Sequence, residues 1–298
     1  MKAYNSISDF HRHLGLPKPL NPLISVVNMK DINVPQGEPS EKFIINFYKI
    51  SFIESSNGRV SYGQNYFDFD EGGLFFISPG QIISPACPSD SLSGTTIYMH
   101  PDLIRVHNLG KKIKNYGFFS YSVAEALHLS EKEKVIVLGL FKQIELELNA
   151  AIDTFSQDLL TSYVELLLDY SNRFYTRQFI TRKTANNDLL TKLEALLDDY
   201  FNNDKAIQSG LPTVQYVSEQ LHFSPDYLSD MLRAYTGQNT QQHIHNKLID
   251  TAKMLLSSSN LTVAEVAYQL GFEHPQSFNK LFKRKTNISP TSYRHSFN

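Results

Sequence analysis

Charge of one sign is concentrated at the end of this sequence. From His274 to Asn298 it carries Lys280, Lys283, Arg284, Lys285 and Arg294 and no aspartate or glutamate, a formal +5. Lys280, Lys283 and Arg284 stand at i, i+3 and i+4, so on a helix they share one face. Cations in that arrangement suit phosphate neutralisation, although a charge run alone is ordinarily only a solvated face. The chain as a whole gives no such signal: 28 basic against 30 acidic residues leave −2 at pH 7. Other chemistry has fewer candidates. His11/His13 and His243/His245 are spaced i, i+2; on a predicted helix the second pair points about 200° apart, away from any shared metal, and all four read as surface or capping histidines. No histidine lies between Phe43 and Ile97, so a clustered His/Glu metal set on strands lacks donors. No glycine-rich phosphate loop or serine nucleophile motif is found. The single cysteine, Cys87 in PACPSD, excludes an intramolecular disulfide and fits a reducing compartment. It reads as an ordinary small residue before a redox sensor.

The element that carries the cations decides their meaning, and the sequence repeats that element. TVQYVSEQLHFSPDYLSDMLRAYTG (213–237) is matched by TVAEVAYQLGFEHPQSFNKLFKRKTN (262–287). Val214, Val217, Gln220, Leu221 and Phe223 recur 49 residues on as Val263, Val266, Gln269, Leu270 and Phe272. Leu228, Met231, Leu232 and Thr236 recur 50 residues on as Phe278, Leu281, Phe282 and Thr286. The one-residue slip falls in a turn, where insertion is cheapest. Each copy predicts a short helix with one apolar face, a turn holding His222 or Gly271, and a second helix opened by Pro225 or Pro275. Gly271 suits a helix end that needs positive φ. This is a helix-turn-helix twice over. Between the copies, Ile244, Leu248, Thr251 and Leu255 predict a helix over 239–257. Nineteen residues span about 28 Å, near the roughly 34 Å between successive major-groove faces on one side of B-DNA.

The front of the 298-residue chain has another texture. Its first forty residues, rich in proline and asparagine, read as an arm or a loosely packed start. From Phe43 to about Pro101, short β-branched or aromatic runs alternate with turn signals such as Asn57-Gly58 and Pro79-Gly80, the pattern of a small β-sandwich or barrel. Its aromatic residues (Phe43, Phe47, Tyr48, Phe52, Tyr62, Phe67, Phe69, Phe75, Phe76 and Tyr98) line an effector pocket or form a packed core. Residues 131–150 and 155–178 read as helices. In the second, Leu160, Tyr163, Leu167, Tyr170 and Phe174 follow a 3, 4, 3, 4 spacing, which serves either a dimer seam or a face packed on the β-domain. The polar stretch 181–188, TRKTANND, predicts the domain boundary. No secretory apolar region opens the chain, and the longest apolar run, about 135–141, is far short of the roughly 20 residues that span a bilayer. A cytoplasmic protein with no membrane partner is expected.

Residues 190–298 resemble the AraC/XylS family of bacterial transcriptional regulators, whose C-terminal hallmark stands here as V-A-Y-Q-L-G-F-E-H-P-Q-S-F-N-K-L-F-K-R-K-T-N-I-S-P-T-S-Y-R. The resemblance implies an α+β chain. Residues 1–180 would be a cupin-like β-barrel with appended helices, for sensing and dimerisation. Residues 187–298 would be an AraC-type DNA-binding domain of two helix-turn-helix subdomains joined by a long helix. GLFFISPGQ looks like the family's strand and turn, but Ile82-Ile83-Ser84 follows where relatives carry a histidine ligand, so that role does not carry over. The family's base-facing positions fall on Pro275, Gln276, Ser277, Asn279 and Lys280, with Lys283 and Arg284 toward the backbone. Gln and Asn pair bidentately with adenine, and Lys donates to guanine. The first unit has Asp226, Tyr227, Ser229 and Asp230 there, with Arg233 one turn on. Its carboxylates cost affinity near phosphate unless one accepts from cytosine N4 or orients an arginine, so the first unit is expected to discriminate by exclusion and shape. The implied partners are double-stranded DNA, a small-molecule effector, RNA polymerase and a second copy of the chain. No cofactor is implied, and the implied output is activation. The competing readings are a cupin-type enzyme with a fused helical module and a helical scaffold; salt-dependent duplex binding separates the scaffold from the regulator.

Overall fold

The computed structural model describes residues 2–33, 42–56, 60–62, 65–67, 72–83, 92–122, 125–181, 183–203 and 205–296. Cys87 and Phe69 lie outside them, as do the side chains of Tyr62 and Phe67. The chain divides into two compact units, Met1–Gln178 and Phe179–Asn298.

The first unit is built on sheets. A five-stranded antiparallel sheet has the order β10-β7-β4-β9-β2, from β2 (Ile24–Asn28), β4 (Tyr48–Ser56), β7 (Gly73–Ile77), β9 (Leu92–Met99) and β10 (Leu127–His128). A three-stranded sheet joins β1 (Lys2–Tyr4), β3 (Phe43–Ile45) and β8 (Ile82–Ile83), with β1 parallel to β3. β5 (Val60–Tyr62) and β6 (Asn65–Phe67) form a hairpin. The expected barrel is not closed: β10 and β2 are edges of the larger sheet, and among the described residues no ladder joins them. Side-chain burial joins the two larger sheets instead. Ile45 and Ile83 of the small sheet share a core with Val27, Ile53, Phe75, Ile77 and Tyr98 of the large one.

Residues 2–33, the described part of the opening segment, are neither an arm nor loosely packed. They supply β1, β2 and helix α1 (Ile7–His13), whose cap Ser6 accepts from the Asp9 amide at 3.1 Å. Ile7 and Phe10 of α1 are core residues. His11 is buried, with Nε2 3.0 Å from Ser25 Oγ and Nδ1 2.7 Å from the Pro17 carbonyl. Phe10 meets Phe47 and Tyr98 at 5.6 and 5.3 Å between ring centres. Phe47, Phe52, Phe75, Phe76 and Tyr98 are buried, whereas Phe43 and Tyr48 are half-buried.

Short helices α2 (Pro101–Ile104) and α3 (Leu109–Lys112) lead to α4 (Glu131–Asn149) and α5 (Ser156–Thr181). Ser130 and Glu133 form a capping box that starts α4. Three of the five 3,4-spaced positions of α5 pack inward. Leu160, Leu167 and Phe174 are buried within this unit, together with Val164 and Leu168 between them. Polar side chains fix that orientation. Lys112 donates to Glu165 and Asp169 at 2.8 and 2.7 Å, and the Tyr116 hydroxyl donates to Asp169 at 2.7 Å. Gln178 accepts from the His128 amide at 2.9 Å and donates to the Ala126 carbonyl at 3.3 Å, holding β10.

The second unit is helical: α6 (Lys183–Asn202), α7 (Lys205–Ser209), α8 (Val214–Leu221), α9 (Pro225–Thr236), α10 (Thr240–Ser258), α11 (Val263–Gln269), α12 (Pro275–Thr286) and α13 (Pro290–His295). The repeat is visible in its hydrogen bonds. Thr213 caps α8 by accepting from the Tyr216 amide, and Thr262 caps α11 by accepting from the Glu265 amide. Thr236 and Thr286 each donate to the carbonyl four residues back at 2.8 Å. The α8–α9 turn passes through His222 at φ 62°, and the α11–α12 turn through Gly271 at φ 89°. Only the second position demands glycine. A Cβ on Gly271 would stand 2.7 Å from the Ala206 carbonyl oxygen and from the Gly210 carbonyl carbon. Gly271→Ala is therefore expected to cost about 2–4 kcal/mol, while His222→Gly relieves left-handed strain and is neutral or slightly stabilising. Thermal melts of both variants check this, and equal melting points would refute it.

Candidate nucleic-acid interface

Helices α8 and α9 pack with α6 and with α10 around Leu193, Leu197, Val217, Leu228, Leu232 and Ile244. Helices α11 and α12 pack with the other end of α10, Ala206 of α7 and Tyr200 of α6 around Val266, Leu270, Phe278 and Phe282. Helix α10 thus belongs to both cores, and its 19 residues span about 28 Å. Asn239 and Gln242 form the capping box that starts it.

On α12 the core takes Phe278, Leu281 and Phe282. The opposite face presents Gln276, Ser277, Asn279, Lys280, Lys283 and Arg284, all exposed. Among the described residues none of Lys280, Lys283, Arg284 or Lys285 forms an ion pair. Their charge is available to an external anion. Arg294 is not part of that face. It is half-buried and donates from Nε to the Leu256 carbonyl at 3.2 Å, near the end of α10, where a cation meets the negative end of a helix dipole. His245 of α10, considered in the sequence only as a metal ligand, feels the charge of α12. Burial first, then the nearby Lys285 and Arg284 charges, lower its pKa.

On α9 the corresponding positions have different fates. Tyr227 is 4% exposed, stacked on Phe223 at 5.6 Å and edge-on to Phe179 at 5.1 Å. Its ring belongs to the core, whereas Ser277, its counterpart on α12, is too small to reach inward. Ser229 is half-buried, its Oγ 3.0 Å from the hydroxyl of buried Thr240. Asp230 and Arg233 remain at the surface, joined by an Arg233 Nη1 to Asp230 Oδ1 bond of 2.6 Å. Asp226 is exposed one turn before them. The histidines of α10 are tied individually: His243 Nε2 lies 2.9 Å from Thr236 Oγ1, and His245 Nε2 lies 3.0 Å from Gln241 Nε2. Among the described residues no group of three or more His, Cys, Asp or Glu side chains is placed to hold a metal. No described helix is long and apolar enough to cross a membrane.

Known proteins are similar to this chain in sequence. A family described as a helix-turn-helix domain matches residues 217–296. The HTH-type transcriptional regulator YisR of Bacillus subtilis is 37% identical over 267 residues, covering 87% of this chain and 89% of that protein. The HTH-type transcriptional activator RhaS of Salmonella paratyphi B is 31% identical over 119 residues, 40% of each chain. Histidine kinase P4 of Formosa agariphila is 25% identical over 142 residues, which is 47% of this chain and 10% of the kinase. This chain therefore spans only a small part of the kinase and less than half of RhaS, but most of YisR. With a duplicated helix-turn-helix and a likeness to YisR that runs through both units, the chain belongs to the AraC/XylS family of HTH-type transcriptional regulators.

Proposed function

We propose that this protein is a sequence-specific DNA-binding activator that responds to an effector and places α9 and α12 in adjacent major grooves. The exposed, acid-free, unpaired cationic face of α12 carries this reading, because a scaffold gains nothing from leaving such charge unneutralised. Residues 187–298 would bind DNA. Residues 1–180, read as the family's cupin-like domain, would sense a small molecule and dimerise. The protein would act in the cytoplasm with RNA polymerase, as a regulator and not as a catalyst. Effector binding would shift the population between dimer forms that present their two DNA-binding units differently.

The base contacts are assigned to Gln276, Ser277, Asn279 and Lys280, and the backbone contacts to Lys283 and Arg284. Fluorescence anisotropy on the DNA upstream of its own gene and on a shuffled duplex, across a salt series, tests the reading. Tight, salt-dependent binding that prefers the upstream sequence is expected. Absence of binding by the full chain and by the 187–298 fragment, even at low salt, would remove the regulator reading and favour a scaffold. Gln276→Ala is expected to lose roughly 1–3 kcal/mol at a single base pair. A uniform loss across every sequence would instead place Gln276 on the backbone.

A further inference from the structure

The two recognition helices are copies of one element, and they differ in one informative place. The 50-residue offset that relates Leu228 to Phe278 and Leu232 to Phe282 holds between buried core positions. The same offset pairs Asp230 with Lys280 and Arg233 with Lys283. Where α12 presents a free ammonium group, α9 presents a carboxylate bonded to the neighbouring arginine at 2.6 Å. Arg233 is the one cation of α9, which also carries Asp226; α12 carries four cations and no acid.

An exposed ion pair one turn apart adds little to stability. Its consequence here is directional. The pair uses one of the five N–H donors of the guanidinium and restrains the position of the rest. A guanidinium so held still offers the two-donor edge that matches guanine O6 and N7. The carboxylate beside it repels phosphate oxygens and opposes the backbone contact that a free arginine makes on any sequence. The Tyr227 ring is packed on Phe223 and Ser229 lies against Thr240, whereas Arg233 and Asp226 are exposed and Asp230 is partly so.

We propose that Asp230 determines specificity: it holds Arg233 to a guanine in the half-site read by α9 and keeps that helix from binding phosphate on arbitrary sequence. The two helices then differ in their share of phosphate binding: α12 adds the free cations Lys283 and Arg284 to its own base contacts, whereas α9 contributes chiefly selectivity. This rests on the DNA-binding reading above.

Selection of full-length protein on randomised duplexes, with anisotropy salt series on the selected and shuffled DNA, tests it. Wild type, Asp230→Ala, Asp230→Glu, Arg233→Ala and Arg233→Lys are compared, with a thermal melt to verify folding. Wild type should enrich a guanine in one half-site. Arg233→Ala should lose it, and Arg233→Lys should lose it too, since an ammonium group has no fork. Asp230→Ala should bind shuffled DNA more tightly, steepen the salt slope by about 0.9 and reduce discrimination at that guanine roughly tenfold. Asp230→Glu, which keeps the carboxylate, should retain the wild-type slope. Enrichment of the same guanine by Arg233→Ala overturns the proposal alone, as does an unchanged slope and shuffled-DNA affinity in Asp230→Ala. A wild-type protein that enriches no motif overturns the regulator reading as well.

Discussion

Replacing Leu167 with glutamate is expected to unfold the first unit instead of separating two chains. Leu167 is fully buried in α5, flanked by buried Val164 and Leu168. A carboxylate there has no partner and no water, a cost of more than about 4 kcal/mol. Near-UV circular dichroism and thermal melting should show the loss, while Leu167→Ala should cost roughly 2–5 kcal/mol through the cavity it leaves. The neighbouring position is the control. Leu166 is 45% exposed, so Leu166→Glu should leave stability within about 0.5 kcal/mol. If Leu167→Glu folds normally and changes only the mass seen in sedimentation, the buried face is an intermolecular seam after all.

The second large effect is on DNA binding. Removing Lys280, Lys283 and Arg284 together by alanine should weaken binding on the order of 100-fold at physiological salt and lower the salt slope by about 1.8, from the two backbone contacts of Lys283 and Arg284. All three side chains are exposed and free of ion pairs among the described residues, so the melting point should barely move. Exposed Lys132 on α4 provides the comparison, and Lys132→Ala should leave slope and affinity unchanged. An unchanged slope in the triple variant would mean that α12 does not meet the phosphate backbone.

Much of the second unit was legible because its signals are local. Helix caps at Thr213, Asn239 and Thr262, prolines at 225 and 275, and apolar positions at helical spacing each act within a few residues. The predicted linker helix over 239–257 is α10, Thr240–Ser258. The first unit was less legible. Strands β4 and β9 pair residues about 45 apart, as Ser51 does with Thr96, and nothing short-range encodes such a partner. The opening segment was misread because its three elements are short and owe their order to burial against the sheets.

The site divides in the same way. Repetition of a helix-turn-helix, the acid-free cationic run and the one-turn spacing of Asp230 and Arg233 are properties of the chain alone, set by residue type and spacing. Tertiary packing decided the rest. It drew the Tyr227 ring inward against Phe223 and Phe179, turned Arg294 toward the end of α10, and brought His245 within reach of the Arg284 and Lys285 charges. It also chose which side of α5 faces the core. Each of these depends on atoms far apart in sequence competing for the same buried space, and no local pattern records which of them wins.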